Sequence, residues 1–326
     1  LGLKVIIDQV LSHTASAHPW FVESKKDRTN PKADWYVWAD PREDGTPPTN
    51  WLSVFGGTSW EWCSGRMQYY LHNFLKSQPD LNFHNPEVRQ ALLDVARFWL
   101  DKGVDGFRLD TVNYYFHDTE LRNNPPFPKG YAFASAPASN PYCFQDHLYD
   151  KTRPENLVFL SDLRRLMDSY DDRMLVGELG VDGPQVAETL AAYTEKDKRL
   201  HMSYVFELLT DEFSASHIRN VVERLTKEMG DGWVCWSMTN HDVPRVISRW
   251  GLEAVADRAA PLLWALLLSL RGSACVYEGE ELGLTEADIP YELIQDPYGK
   301  ALWPEFKGRD GCRTPMPWNK NAPNGG

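Results

Sequence analysis

The chain has 326 residues, 42% of them hydrophobic and 13% aromatic, with a formal net charge of −12 and a pI near 5.2. That length buries a large core, as one α/β barrel or as two domains. The acidic balance excludes a nucleic-acid surface, since phosphates demand a basic one, and the most apolar run, residues 261–270, is too short to cross a bilayer. Five cysteines, Cys63, Cys143, Cys235, Cys275 and Cys312, lie scattered with no C-x-x-C spacing. That pattern suggests free thiols in a reducing, cytoplasmic compartment rather than a disulfide framework or a zinc site. The chain opens at Leu1, already entering a strand, and reads as an internal piece of a longer protein.

Residues 3–7, apolar apart from Lys4 and β-branched over 5–7, predict a strand that ends in Asp8. Residues 14–84 are irregular and rich in Pro, Gly, Asp, Asn and Trp, with turn signals at Asp44-Gly45, Pro47-Pro48 and Gly56-Gly57. A loop this long predicts a small subdomain inserted between a strand and its helix. Six of the thirteen tryptophans fall there: Trp20, Trp35, Trp38, Trp51, Trp60 and Trp62. They serve either as the core of an irregular region or as a wall for sugar rings. Regular structure returns with Asn85 as an N-cap, Pro86 at the first helical position and Glu87 at the positive end of the helix dipole. Val88, Leu92, Val95 and Trp99 predict its apolar face, and Lys102-Gly103 its end.

The next strand carries Gly106-Phe107-Arg108-Leu109-Asp110-Thr111-Val112. A Pro-rich loop over 123–142 follows, then a helix over 157–170, a strand over 174–178 and a helix over 186–193. Further expected elements are a strand over 203–208, a helix over 213–229, a strand over 233–238, a helix over 254–270 and a last strand over 274–277. Residues 286–326 read as loop-rich. Six strands separated by helices suit an α/β fold, a (β/α)8 TIM barrel that lacks its first two βα units.

In that fold catalytic groups sit at the C-terminal strand ends, where Asp8, Asp110, Glu178 and Asp242 fall. Arg108 shares a strand face with Asp110 and should hold it ionised. Glu178 lies in Val176-Gly177-Glu178-Leu179-Gly180, an apolar context expected to keep its proton. Asp242 follows His241 and supplies a third charge. One ionised and one protonated carboxylate across a bond are the working pair of glycoside hydrolysis. Asp8 is expected to be structural, orienting neighbours such as His13. His18, His72, His84, His117 and His147 read as loop or surface histidines. No acidic cluster has calcium-loop spacing, and Gly56-Gly57 lacks the setting of a phosphate loop.

These residues resemble glycoside hydrolase family 13, the α-amylase family, over nearly the whole chain. Asp8 to His13 is similar to the first conserved region, and Gln78-Pro79-Asp80-Leu81-Asn82 to the region near the end of the inserted domain. The Asp110 stretch is similar to the nucleophile region, Gly177-Glu178 to the acid/base region, and Asn240-His241-Asp242 to the transition-state region. That Gln78–Asn82 stretch, Gly308-Arg309-Asp310 and Arg313-Thr314-Pro315 together narrow the likeness to the α-glucosidase and oligo-1,6-glucosidase branch.

The resemblance implies a barrel formed by 1–13 and 85–326, with 14–84 as an inserted domain B after the third strand. It implies Asp110 as nucleophile, Glu178 as acid/base and Asp242 as transition-state stabiliser. His13, Arg108, Thr111, His241 and Arg309 would contact the sugar, and Phe55 would be a wall residue. Thr111, directly after the nucleophile, goes with α-1,4 preference. Ser12 stands where calcium-binding amylases carry an Asn ligand, so no metal site is carried over and no cofactor is expected. The implied activity is retaining, exo-acting α-1,4-glucosidase action on small α-glucosides, maltose-like or sucrose, with transglucosylation as a competing outcome. The alternatives are an oligo-1,6-glucosidase, a glucosyl-transferring isomerase that makes trehalose, isomaltulose or trehalulose, and a non-catalytic scaffold like the transporter heavy chains. The intact acids weigh against the last.

Overall fold

The computed structural model describes residues 1–129, 136–319 and 321–322. The expected loop 123–142 and the loop-rich end therefore lie partly outside the described residues, at 130–135, 320 and 323–326. The chain divides into two compact units, Leu1–Ser203 and Tyr204–Gly326.

The first unit runs β1 (Ile6–Gln9), α1 (Pro19–Ser24), β2 (Trp38–Ala39), β3 (Trp60–Cys63), β4 (Gln68–Leu71), α2 (Pro86–Asp101), β5 (Gly106–Leu109), α3 (Asn156–Met167), β6 (Met174–Gly177), α4 (Val186–Tyr193) and β7 (Met202–Tyr204), the last straddling the unit boundary. Strands β1, β5, β6 and β7 pair in that order, all parallel. Gly106 permits the β5–β6 contact, because a Cβ there would stand 2.0 Å from the Met174 carbonyl oxygen. At α2 the Asn85 side chain accepts the Glu87 N–H at 2.8 Å, and Gly103, at φ +93°, stands just past its end. The buried stripe is Val88, Leu92, Ala96 and Leu100. Val95 is only half-buried and Trp99 is exposed, because a strict four-residue spacing from Val88 lands one position later than expected.

Within 14–84, β2, β4 and β3 form an antiparallel sheet in that order. Trp51 and Trp60 stack at 5.8 Å under it and are fully buried. Their indole N–H groups donate to Arg122 O and Thr49 Oγ1, both at 2.8 Å. These two rings are core, and Trp62 is the only one of the six counted as exposed among the large hydrophobics. His72, His117 and His147 are buried rather than superficial. Burial takes His117 down to about 3, while His147 bonds Asp150 at 2.6 Å.

The second unit carries α5 (Ala215–Glu228), β8 (Val234–Trp236), α6 (Val246–Arg249), α7 (Ala256–Ser269), β9 (Ser273–Ala274) and α8 (Pro297–Leu302). Strands β8 and β9 are parallel, with Cys235 opposite Ser273. The expected strand at 203–208 stops at Tyr204, since the Leu209 N–H folds back onto Phe206 O at 2.8 Å. The expected strand at 274–277 is shorter and earlier, at 273–274. Gly272 precedes it because a Cβ there would meet Val234 O at 2.8 Å.

Candidate active site

The parallel register sets the first unit's acids side by side. Asp8 on β1 lies opposite Arg108 on β5, and Arg108 opposite Val176 on β6. Asp110 and Glu178 follow the ends of their strands, and Glu178 N–H donates to Leu109 O at 2.9 Å. Arg108 is the shared cation. Its Nη1 reaches both oxygens of Asp8 at 2.9 Å and Asp110 Oδ1 at 2.5 Å, and its Nη2 reaches Glu178 Oε2 at 2.7 Å. Burial would lower the guanidinium, but Glu178, Asp110 and Asp8 outweigh it and hold it above its ordinary value.

Two expectations change here. The Glu178 carboxyl does not sit in apolar surroundings, because it meets Arg108 and, at 3.1 Å, the Thr111 N–H. Apolar sequence neighbours point away from a side chain that the next strand reaches across to meet. Asp8 is anchored by Arg108, while both His13 ring nitrogens go elsewhere.

Thr111 turns the chain directly after Asp110, with φ at +42°, a region costly for a β-branched residue. The turn aims its N–H at Glu178 and leaves its hydroxyl 3.3 Å from Asp110 Oδ2 and 3.1 Å from Ser12 Oγ. His13 is buried between Ser12 Oγ and Gln78 Nε2, each at 2.9 Å, so a sugar hydroxyl reaches Nε2 only by displacing the Gln78 amide. Burial lowers its pKa against the pull of Asp110. Phe74 stands 5.5 Å from the His13 ring and 5.7 Å from Phe55, so Phe55 belongs to an aromatic row that leads from the imidazole.

Behind Glu178, Gly180 is bolted down by two residues not foreseen from the sequence. Asn113 accepts the Gly180 N–H at 3.2 Å and donates to its carbonyl at 2.9 Å, and Lys151 Nζ donates to the same carbonyl at 3.0 Å. Lys151 is buried against Tyr114 and Tyr142. Only the Asn directly downstream of the nucleophile stretch hinted at this clamp.

In the second unit, Asn240 Oδ1 accepts the Asp242 and Val243 N–H groups at 2.8 and 3.1 Å and turns the chain after β8. Asp242 Oδ1 takes Arg309 Nη1 and Arg313 Nη2, both at 2.9 Å, and His241 Nε2 is 3.4 Å from Oδ2. Burial would raise this carboxyl, but His241, Arg309 and Arg313 hold it below the usual range. Arg309 also grips Asp296 with Nε and Nη2, at 2.9 and 2.8 Å. Arg313 and Asp296 were not among the expected site residues: Arg313 stood in a stretch that narrowed the likeness but carried no role, and the partners of both lie 13 to 71 positions away. Among the described residues no group of three or more His, Cys, Asp or Glu is placed to hold a metal ion.

Parallel α/β units with acids at the strand ends, and an antiparallel insert, are the build of a partial (β/α)8 barrel. The chain belongs to the α-amylase family: the model of the α-amylase catalytic domain matches residues 1–326. It is 56% identical over 330 residues to a probable α-glucosidase of Rhizobium meliloti (strain 1021), covering 100% of this chain and 59% of that protein. It is 34% identical over 359 residues to an oligo-1,6-glucosidase of Heyndrickxia coagulans, covering 98% and 61%. Among solved structures, an α-glucosyl transfer enzyme, XgtA, is similar with a TM-score of 0.96 and 58% identity, over 100% of this chain and 60% of that one. The chain thus spans about 60% of the length of the relatives it matches.

Proposed function

We propose that the protein is a retaining α-glucosidase that releases terminal α-1,4-linked glucose from small α-glucosides such as maltose. The observation that carries the reading is Arg108 holding Asp110 on one terminal nitrogen and Glu178 on the other. Two acids tied to the two terminal nitrogens of one guanidinium are held as close neighbours, as a double displacement requires of its nucleophile and acid. Asp110 attacks the anomeric carbon while Glu178 protonates the departing oxygen. Glu178 then takes a proton from water, which attacks the glucosyl–Asp110 ester and releases glucose with its α configuration kept. Asp242 is read as the carboxylate that steadies the oxocarbenium-like charge, on family likeness and on the cations that keep it ionised. His13, Arg108, Thr111, His241 and Arg309 are read as sugar contacts and Phe55 as a wall.

Residues 14–84 are read as an inserted domain B between the barrel segments 1–13 and 85–326. No helix among the described residues is long and apolar enough to cross a membrane. The five scattered cysteines, with no C-x-x-C spacing, support a reducing, cytoplasmic setting. Transfer of glucose to a sugar acceptor is the second reading, favoured by the likeness to an α-glucosyl transfer enzyme.

The test gives the intact protein maltose and isomaltose separately and follows products by proton NMR. α-Glucose appearing first, and faster from maltose, is expected. Asp110→Ala should cost several orders of magnitude in turnover; near-normal turnover removes the nucleophile assignment. A rearranged disaccharide as main product moves the reading to a transferring isomerase.

A further inference from the structure

Four hydrogen bonds run end to end from the insert to Asp110. Gln78 Nε2 lies 2.9 Å from His13 Nε2, and His13 Nδ1 lies 2.9 Å from Ser12 Oγ. Ser12 Oγ lies 3.1 Å from Thr111 Oγ1, which lies 3.3 Å from Asp110 Oδ2. Taken singly, the imidazole and hydroxyl links could run in either direction. The two ends decide it. Gln78 Oε1 accepts the Leu75 N–H at 3.1 Å, which turns the amide nitrogen toward His13. An amide nitrogen only donates, so His13 Nε2 must accept. A neutral imidazole then carries its hydrogen on Nδ1 and gives it to Ser12. The Ser12 hydrogen is left for Thr111, and the Thr111 hydrogen for Asp110. A carboxylate only accepts, so the chain closes with every hydrogen placed once and none to spare.

We infer that Gln78, His13, Ser12 and Thr111 form a directional relay that fixes His13 as the Nδ1–H tautomer and delivers a hydroxyl donor to one oxygen of Asp110. In this relay the four act on Asp110 by positioning it, whatever sugar contacts His13 and Thr111 also make. The relay takes one carboxylate oxygen while Arg108 takes the other, so the rotation of the Asp110 side chain is set from both sides. Burial, which keeps His13 neutral, agrees with a single ring hydrogen. The charged or titratable groups that face Asp110 are Arg108, Asp8, Glu178, His13 and the buried Tyr115. The consequence for catalysis rests on reading Asp110 as the nucleophile; the tautomer does not.

The test has two arms, both on the intact protein. In the first, Ser12→Ala, Thr111→Val and the double variant are compared by the pH profile of kcat/KM. A donor lost from an ionised carboxylate should move the acid limb up by about one pH unit. The alkaline limb should stay, Ser12→Ala should move the acid limb less than Thr111→Val, the double variant should move no further than Thr111→Val, and Thr111→Ser should keep the wild-type profile. Additive shifts, or no shift, overturn the relay. In the second arm, nitrogen NMR of histidine-labelled protein reads His13, assigned by the signals lost in His13→Gln. The Nδ1–H pattern is expected, with mixed tautomers in Gln78→Met; an Nε2–H or doubly protonated ring in the wild type overturns the proposal. If Asp110→Ala kept its turnover, the nucleophile reading would fall, and the NMR arm would still decide the tautomer.

Discussion

Replacing Arg309 by Met should cost the fold about 3 kcal/mol at neutral pH. Arg309 Nε and Nη2 cover both oxygens of Asp296, whose side chain is 1% exposed. Removing one partner of such a buried pair costs about 3–5 kcal/mol, because a desolvated charge is left behind. Asp296 would keep two backbone donors, Tyr298 N–H at 3.2 Å and the residue 309 N–H at 2.9 Å, which puts the loss at the low end, about 3 kcal/mol. The other end of Arg309 adds little, since Asp242 is 32% exposed and keeps Arg313 at 2.9 Å. The pH dependence has a defined sign. Burial would raise the Asp296 carboxyl, but Arg309 holds it below its ordinary range. A depressed carboxylate contributes stability above its unfolded value, about 3.9, and loses it as pH falls through the folded value. The gap between wild type and Arg309→Met should therefore be widest at pH 7 and narrow at about pH 3.5. Denaturant midpoints of the intact protein at both pH values measure it. A variant within about 0.5 kcal/mol of wild type at pH 7 would refute the reasoning, as would a gap that ignores pH.

Gly106→Ala should prevent normal folding, because its Cβ would press to 2.0 Å from Met174 O and force β5 off β6; an unchanged thermal melt would show the register to be wrong. Lys151→Met frees one of the donors that hold Gly180 behind Glu178. Turnover of maltose should drop about tenfold at little cost in KM, and less for an aryl glucoside whose leaving group needs no proton. Equal drops on both substrates would make Lys151 merely structural.

The acids at the strand ends were legible because their signals are local. A β-branched run stops at a carboxylate, and Asn85-Pro86-Glu87 spells a helix start that the fold reproduces at Pro86. The partners of those acids were not legible. Arg108 could be paired with Asp110 two positions away, but its grip on Asp8 and Glu178 depends on the strand register. The surroundings of Glu178 were misjudged for the same reason, since flanking Val and Leu say nothing about what the adjacent strand presents. Gln78, Lys151, Asp296 and Arg313 act across 13 to 71 positions, and even where Gln78 and Arg313 fall in stretches that resemble the family, their neighbours in sequence do not name the partner each one meets. The tryptophans posed the opposite difficulty: composition marked the cluster, and only burial showed Trp51 and Trp60 to be interior.

Arg108 is one positive charge shared among three acids. Even with one of them protonated, the cluster stays net negative. A like charge about 4 Å away costs about 4 kcal/mol at an effective dielectric near 20. A glucose ring that carries a carboxylate or a phosphate beside the reacting carbon would meet that penalty, whereas a neutral ring would not. A nitrogen cation in a sugar-shaped ring would be drawn in. In the proposed reaction the cluster that prepares the chemistry would also sort sugars by charge, before any hydroxyl is recognised.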